Sequence, residues 1–491
     1  MYLGIDFGTS FSQVSTLSLD KPVLLLQPGE YGVPSEFYYD KDNDILIGQD
    51  ALDAGLGSAA VNLVSEIKMK INYGESFCLD GKNFTAEEIV RNIYHVLVEK
   101  AIRNAPRKNI DSNIEGIVLS VPAKFGLQER NLITNAAKTC MQGKNLPIKG
   151  LIKEPVAAAL SYYNTSLKND KYILVYDLGG GTCDIALLRS DSSLAERFTV
   201  IDSDMLRIGG RDWDKKLISY LDTMISHKSS GKIVKDAGYM EKLRRAAIKV
   251  KHGLSDISKE QIIARVEING RIFSIPVNRS IFDEITSQLL NQTLNLMEDI
   301  YDRNIGECDI SEIICVGGSS NMLQVEAGLK KRFPKCIVRI YEPEHAVVNG
   351  TAIFAAKDLT INDFANFSYG PCSFRDYDPK KKDENQEYII NQIKKGAQLP
   401  VKATGAYNPL EDNQKSIKFA IYESDKTDDY FKKEDPDKRK VGQVVLELPP
   451  KSKKTLSIKC ILSLNKNGLL EVTAYEPSGN KVKAEFHVNA M

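Results

Sequence analysis

The sequence predicts two fold classes in succession: α/β over roughly the first 360 residues and antiparallel β after about residue 362. Three observations carry this. Short apolar runs at Ile117-Val-Leu-Ser-Val121, Tyr172-Ile-Leu-Val-Tyr176 and Ile313-Ile-Cys-Val316 have the pattern of strands buried on both faces. Helical patterns lie between them, and strands alternating with helices imply mostly parallel sheets covered by helices. Beyond residue 362 the texture becomes strict alternation of apolar and polar side chains.

Each element has a local reason. Thr85 followed by Glu88 forms a capping box, and Ile89, Ile93, Val96 and Leu97 then repeat at helical spacing. Residues 127–141 and 280–303 carry the same periodicity with neither Pro nor Gly. In the β module, Lys415–Tyr422 alternates with Ile417, Phe419 and Ile421 on one face. Leu456, Ile458, Cys460, Leu462 and Leu464 form a second strand, followed by Asn467-Gly468, a strong hairpin signal. Leu470, Val472 and Ala474 lead to a turn at Pro477-Ser-Gly-Asn480, and Val482 to Val488 closes the meander. Residues 425–440 hold six acidic and six basic side chains and read as a solvated loop.

Composition narrows the function. The 491 residues include 65 basic and 65 acidic side chains, for a formal net charge of +0, where a nucleic-acid binder would show a basic excess. No stretch approaches the length of apolar chain that a membrane helix needs, and no secretory signal is visible. Eight cysteines without a Cys-x-x-Cys pattern argue against a zinc site or a disulfide scaffold, so the expectation is a cytoplasmic protein with reduced thiols. Neither nucleic acid nor membrane is an expected partner, and a monomer is expected.

Two segments echo each other. Leu3-Gly-Ile-Asp-Phe-Gly-Thr-Ser10 and Val175-Tyr-Asp-Leu-Gly-Gly-Gly-Thr-Cys-Asp184 each end an apolar strand in a carboxylate and run into glycine and a hydroxyl residue. Glycine lets backbone N–H groups approach phosphate oxygens, and hydroxyls add donors. Asp6 and Asp177 would face the accompanying Mg2+ through water, because magnesium dehydrates reluctantly. Two matched copies roughly 170 residues apart suggest duplicated halves clamping one ligand. A third glycine motif, Val316-Gly-Gly-Ser-Ser320, follows the Ile313 strand and could pack against a nucleoside.

The order and spacing of Gly4–Val14, Ile152-Lys-Glu-Pro-Val-Ala-Ala-Ala159, Asp177–Asp184, Ile208-Gly-Gly210 and Val316–Ser320 resemble the 70-kilodalton heat-shock chaperone family over essentially the whole chain. The resemblance implies an actin-like, two-lobed ATPase domain over residues 1–356, a linker at 357–362, and a β-sandwich over 363–491 that binds extended hydrophobic peptides. It implies ATP or ADP with Mg2+ as ligands and an ATP-hydrolysing chaperone acting on unfolded polypeptides. It also admits a dedicated J-domain co-chaperone and a nucleotide exchange factor. By position, Gly8, Thr9, Ser10 and Phe11 match the first phosphate loop, and Gly180, Gly181 and Thr182 the second. Lys68 matches the lysine that neutralises the transferring phosphate, with Lys70 nearby. Glu154 matches the carboxylate near the attacking water, and Asp177 and Asp184 match acidic groups around metal and water. Gly209, Gly210, Ile248, Lys251, Ser255, Gly317, Gly318, Ser319, Asn321 and Glu344 fall on the nucleotide side. Tyr407, Ile417 and Phe419 fall on the peptide side.

The sequence departs from the family pattern in places. Ile248 stands where an acidic residue is usual and His252 and Asn321 where arginines are, changes expected to weaken base contacts more than phosphate contacts, and Phe11 replaces a common tyrosine and removes one hydroxyl. Cys183 replaces an aromatic residue in the second loop and reads as a small apolar filler. The linker keeps only Leu359 and Ile361 as apolar docking residues, and Gly150 replaces the arginine that contacts J-domain partners. The sequence ends at Met491 without the family's helical lid, so weak, fast-exchanging peptide binding is expected. Two other functions fit the same residues: a nucleotide-binding scaffold or exchange factor with little hydrolysis, and a small-molecule kinase of the actin-like fold.

Overall fold

The structure is a computed structural model. It describes all residues except 43, 72–74, 167–170, 192–196, 230–232, 358, 376, 379, 381–384, 452–454, 477–480 and 486–491. The expected turn at 477–480, Val488 and parts of the 374–387 segment lie outside the described residues. The chain forms two compact units, one of Met1–Ala123 with Ile133–Thr360, the other of Lys124–Leu132 with Ile361–Met491.

The first unit contains two large mixed sheets with the same plan. In one, β1 (Tyr2–Phe7), β2 (Phe11–Ser18), β3 (Lys21–Leu24), β4 (Gly116–Val121) and β5 (Ile148–Lys153) run in the spatial order β5-β4-β1-β2-β3. In the other, β6 (Lys171–Leu178), β7 (Cys183–Asp191), β8 (Arg197–Leu206), β9 (Ile310–Val316) and β10 (Ile337–Ile340) run β10-β9-β6-β7-β8. Each first strand pairs in parallel on one side, β1 with β4 and β6 with β9. Each pairs antiparallel with its own hairpin partner on the other, placing Asp6 opposite Gln13 and Asp177 opposite Asp184. The duplication read from the glycine loops is therefore a duplication of sheet topology. Each glycine loop is the hairpin connection of one sheet.

Helices complete the layers. The capping box at Thr85 and Glu88 starts α1 (Ala86–Asn104), and Ile89, Ile93 and Leu97 are fully buried on its inner face. α2 (Glu154–Ser166) follows β5, and α3 (Gly210–Lys228) and α4 (Ala237–Leu254) follow the second hairpin. α5 (Arg279–Asn304) begins at an Asn278 cap, and α6 (Ala346–Ala356) lies near the unit's end. Trp213, Leu217, Leu221 and Val250 of α3 and α4 are buried with Leu174, Tyr176 and Ile185 of β6 and β7, which is the ordinary sheet-on-helix core. No helix among the described residues is long and apolar enough to cross a membrane.

The second unit is two antiparallel sheets. β11 (Ser368–Phe374), β12 (Glu387–Ile390), β13 (Val401–Tyr407), β14 (Ser416–Ser424), β15 (Tyr430–Lys432), β16 (Lys438–Glu447), β17 (Ile458–Leu464), β18 (Leu470–Tyr475) and β19 (Lys481–Glu485) form the sheets β15-β12-β11-β14-β16 and β13-β17-β18-β19. Ile421, Ile458, Cys460, Leu462 and Val472, all at 0 % exposure, fill the space between them. Gly468, with φ of 71°, makes the tight turn before β18.

The 425–440 segment is corrected. It is not wholly a solvated loop, because Tyr430–Lys432 adds a strand to the edge of β12 and Lys438 opens β16. Ion pairs Lys426–Asp435, Lys394–Asp429 and Lys395–Asp425 fix charges that the composition shows only as polar. Within the same unit Leu127 N donates to Glu423 at 3.2 Å, and Arg439 joins Glu423 to Glu129.

Candidate functional site

The site grows from the two hairpin loops. In the first, Ser35 holds the backbone: its hydroxyl donates to Gly8 O at 2.7 Å, and its N–H donates to Ser10 O at 2.9 Å. Thr9 is buried and Ser10 exposed, while the Phe11 ring packs on Tyr31 at 4.5 Å between centroids. In the second loop Gly179 N donates to Thr182 O at 3.0 Å, and Thr182 is buried.

The start of α3 is laced to that second loop. Gly210 N donates to Gly179 O at 3.0 Å and Arg211 N to Gly180 O at 2.9 Å. Gly209 is required by closeness, since a Cβ there would lie 2.4 Å from Gly181 N. Gly317 is required twice over. Its φ of +82° favours glycine, and a Cβ would sit 2.5 Å from Asp177 Oδ1 and 2.4 Å from Leu178 O. Ser319 packs beside Gly210, so the third glycine motif meets the second loop and the α3 start.

Four carboxyl groups and one ammonium gather between the loops. Lys68 Nζ donates to Glu154 Oε1 at 2.6 Å, with both side chains buried. The Ser120 hydroxyl donates to Asp6 Oδ1 at 2.6 Å, and Ala123 N donates to Asp184 Oδ1 at 2.6 Å. Asp184 Oδ2 is buried with no hydrogen-bond partner among the described residues. The choice between Lys68 and Lys70 is geometric, since Lys70 is only half-buried while Lys68 holds Glu154.

Burial and mutual repulsion set the protonation. Burial pushes the Glu154 carboxyl up to about 8, with Asp184 and Asp6 adding to the shift and Lys68 opposing it. Burial raises Asp184 to about 6, and raises Asp177 well above the carboxylate range with Glu154 and Asp184 adding. Burial works against the Lys68 ammonium, but Glu154 and Asp6 more than offset it, so Lys68 stays charged. One ammonium does not balance four ionised carboxylates in a dry site, and burial holds Glu154, Asp177 and Asp184 toward their protonated forms. Among the described residues no three Asp, Glu, His or Cys side chains converge into a direct coordination shell.

The adenosine-side candidates are more scattered. Lys251 is committed to structure: its ammonium donates to Asp214 at 2.8 Å and to Gly210 O at 3.0 Å. The Ser255 hydroxyl donates back to Lys251 O at 3.0 Å as the helix ends. Ile248 is half-buried, Asn321 and Glu344 are exposed, and Gly318 opens a short 3-10 turn. The described hydrogen bonds join none of Ile248, Asn321 or Glu344 to the carboxyl cluster. The Cys183 thiol is fully buried and pushed well above its usual pKa by burial, as a filler would be.

In the second unit Phe419 needs correction as a pocket-lining residue. At 1 % exposure it belongs to the intersheet core, its ring edge-on to Tyr407 at 5.1 Å. Alternation correctly placed it on the apolar face of β14, but the opposing sheet covers that face. Tyr407 and Ile417 are half-buried, and Gln392 donates to the Tyr407 hydroxyl at 2.6 Å.

Sequence reasoning missed Ser35, Ser120 and the Glu66–Arg211 ion pair at 3.1 Å. Only Arg211 carried a signal, a charged residue directly after Gly209-Gly210. The sequence profile described as Hsp70 protein matches residues 64–491, which takes in Lys68, Glu154, the second loop and the whole β module and begins after the first loop. With a matched span of most of the chain, this protein belongs to the Hsp70 family, whose members are in general ATP-dependent chaperones.

Proposed function

We propose that the first unit binds and hydrolyses ATP and that the second binds extended apolar peptide segments, with nucleotide state setting peptide affinity. The observation that carries the reading is the buried Lys68–Glu154 pair set among Asp6, Asp177 and Asp184 between two glycine hairpins. The residues fit a nucleotide with magnesium: Asp184 Oδ2 lacks a partner among the described residues, and backbone at Gly181 and Gly209 is too closely approached for side chains. Asp6 and Asp177 would hold the metal through water. When bound, magnesium supplies charge neutralisation at the phosphate oxygens.

The chain's own groups do the rest. Lys68 offsets negative charge on the transferring phosphoryl group. Glu154 and Asp184 orient water, and Glu154 accepts its proton only in the ionised form, which burial makes harder to reach by holding its carboxyl up to about 8. The N–H groups and hydroxyls of Gly8–Ser10 and Gly180–Thr182 fix the phosphate chain. Tyr407 and Ile417 are the residues left to meet a peptide.

The test is ATP turnover with and without a hydrophobic peptide. Magnesium-dependent hydrolysis that changes with peptide supports the reading, and absence of hydrolysis overturns it. A second reading, a nucleotide-binding scaffold with little hydrolysis, draws on Lys251 being held by Asp214 and on the apolar Ile248. Tight ADP binding without single-turnover hydrolysis would select it.

A further inference from the structure

One ion pair ties together two segments far apart in sequence. Glu66 takes a left-handed backbone conformation, φ of 58°, at the entry to the Ile67–Lys70 turn that delivers Lys68. Its Oε2 accepts from Arg211 Nη1 at 3.1 Å, and Arg211 Nε lies 3.6 Å from Asp212. Arg211 is the residue whose N–H is bonded to Gly180 O. The turn also lies over the second loop, because a Cβ on Gly181 would meet Met69 Sδ at 2.6 Å. The pair therefore buttons the Lys68 turn to the helix that backs the second phosphate loop.

We propose that Glu66–Arg211 is a clasp over the phosphate end of the nucleotide site, a positioning pair that slows nucleotide release and holds the Lys68 turn. This rests on the nucleotide-binding reading above. The guanidinium is 17 % exposed and the carboxylate 30 %, so water and salt reach the pair but do not dominate it. Lys68 is fixed at its far end by Glu154, yet its turn has only this side-chain link to α3 among the described hydrogen bonds. Opening the clasp lets the turn lift from Gly181 while Lys68 stays tethered to Glu154 at its far end. It acts on the bound nucleotide through two other residues, Met69 and Lys68.

The experiment measures dissociation of N-methylanthraniloyl-ADP with magnesium from the full-length protein by stopped flow. Arg211→Glu and Glu66→Arg are each expected to release the probe about tenfold faster, equivalent to about 1.4 kcal/mol. The double variant, with the charges exchanged, is expected to return to within about twofold of wild type, which misfolding of either single variant would not explain. Added salt should speed release from wild type and leave Arg211→Ala unchanged. Unaltered release in the single variants overturns the clasp. Faster release without rescue in the exchanged pair also overturns it, by showing that the two side chains act separately. A wild-type protein that binds no probe fails the nucleotide reading instead, and takes the clasp with it.

Discussion

Replacing Lys68 by alanine probes the centre of the site in two ways at once. The ammonium is buried against Glu154 at 2.6 Å, so its removal leaves a buried carboxyl facing Asp6, Asp177 and Asp184. Breaking a buried pair costs about 3–5 kcal/mol when the remaining partner stays charged. Glu154 can avoid that by keeping a proton, and its carboxyl is already held up to about 8 with the lysine present. The loss of stability should thus be small at pH 6. Above about pH 8 it should grow by about 1.4 kcal/mol per pH unit toward the 3–5 kcal/mol limit. Adding Glu154→Gln should restore stability at high pH, because no ionisable partner is left behind. Turnover behaves oppositely: Lys68→Ala should lose two to three orders of magnitude, about 3–4 kcal/mol, and the double variant should recover none of it. Trp213, the sole tryptophan and fully buried in the first unit, reports unfolding of that unit alone. Urea titrations followed by its fluorescence at pH 6 and pH 9, with single-turnover assays of labelled ATP, complete the comparison. Equal destabilisation at the two pH values, or hydrolysis at the wild-type rate, would refute the reasoning.

Three further outcomes follow from the same geometry. Because Glu154 binds its proton more tightly folded, about 8 against an ordinary 4.5, its stabilising contribution is full at low pH and declines as pH rises from about 4.5 to 8; melting curves of the nucleotide-free protein should show this slope, flattened in Glu154→Gln. Gly317→Ala forces a side chain into positive φ and against Asp177 and Leu178, and should cost more than about 2 kcal/mol in the first unit by Trp213 fluorescence, with no loss if the turn can flatten. Phe419→Ala should destabilise the second unit by about 3–5 kcal/mol as a core cavity, measured by calorimetry, whereas a pocket residue would change peptide affinity and leave the transition in place.

The sequence made legible whatever depends on neighbours in the chain. The capping box at Thr85, the hairpin at Gly468 and the paired loops after Asp6 and Asp177 all announce themselves within a few residues. Periodicity also assigned Phe419 to the right face of its strand. It could not reveal that a second sheet lies on that face, since coverage is a property of distant residues. The same limit hid Ser120 from Asp6 and Arg211 from Glu66, pairs separated by more than a hundred positions. Lys251 looked available for a ligand because Asp214, the group that engages it, sits on another helix. Charge density concealed the Tyr430–Lys432 strand, where Phe431 is 8 % exposed amid lysines and aspartates.

The duplicated sheets have a consequence for the order in which the protein is made. The first glycine loop leaves the ribosome roughly 300 residues before Gly317, and at about 5–20 residues per second that is an interval of about 15–60 s. Throughout it the β1–β2 hairpin can gain β4 and β5 but exists without α6, the helix that packs on it. A ribosome-bound chain stopped before Gly317 would therefore lack part of the nucleotide site, however well its first sheet had formed. Once the third glycine motif emerges, a nucleotide that binds only the complete arrangement stabilises it by mass action. The ligand would then act as the last piece of the assembling domain, and cellular nucleotide supply would bear on the yield of folded protein.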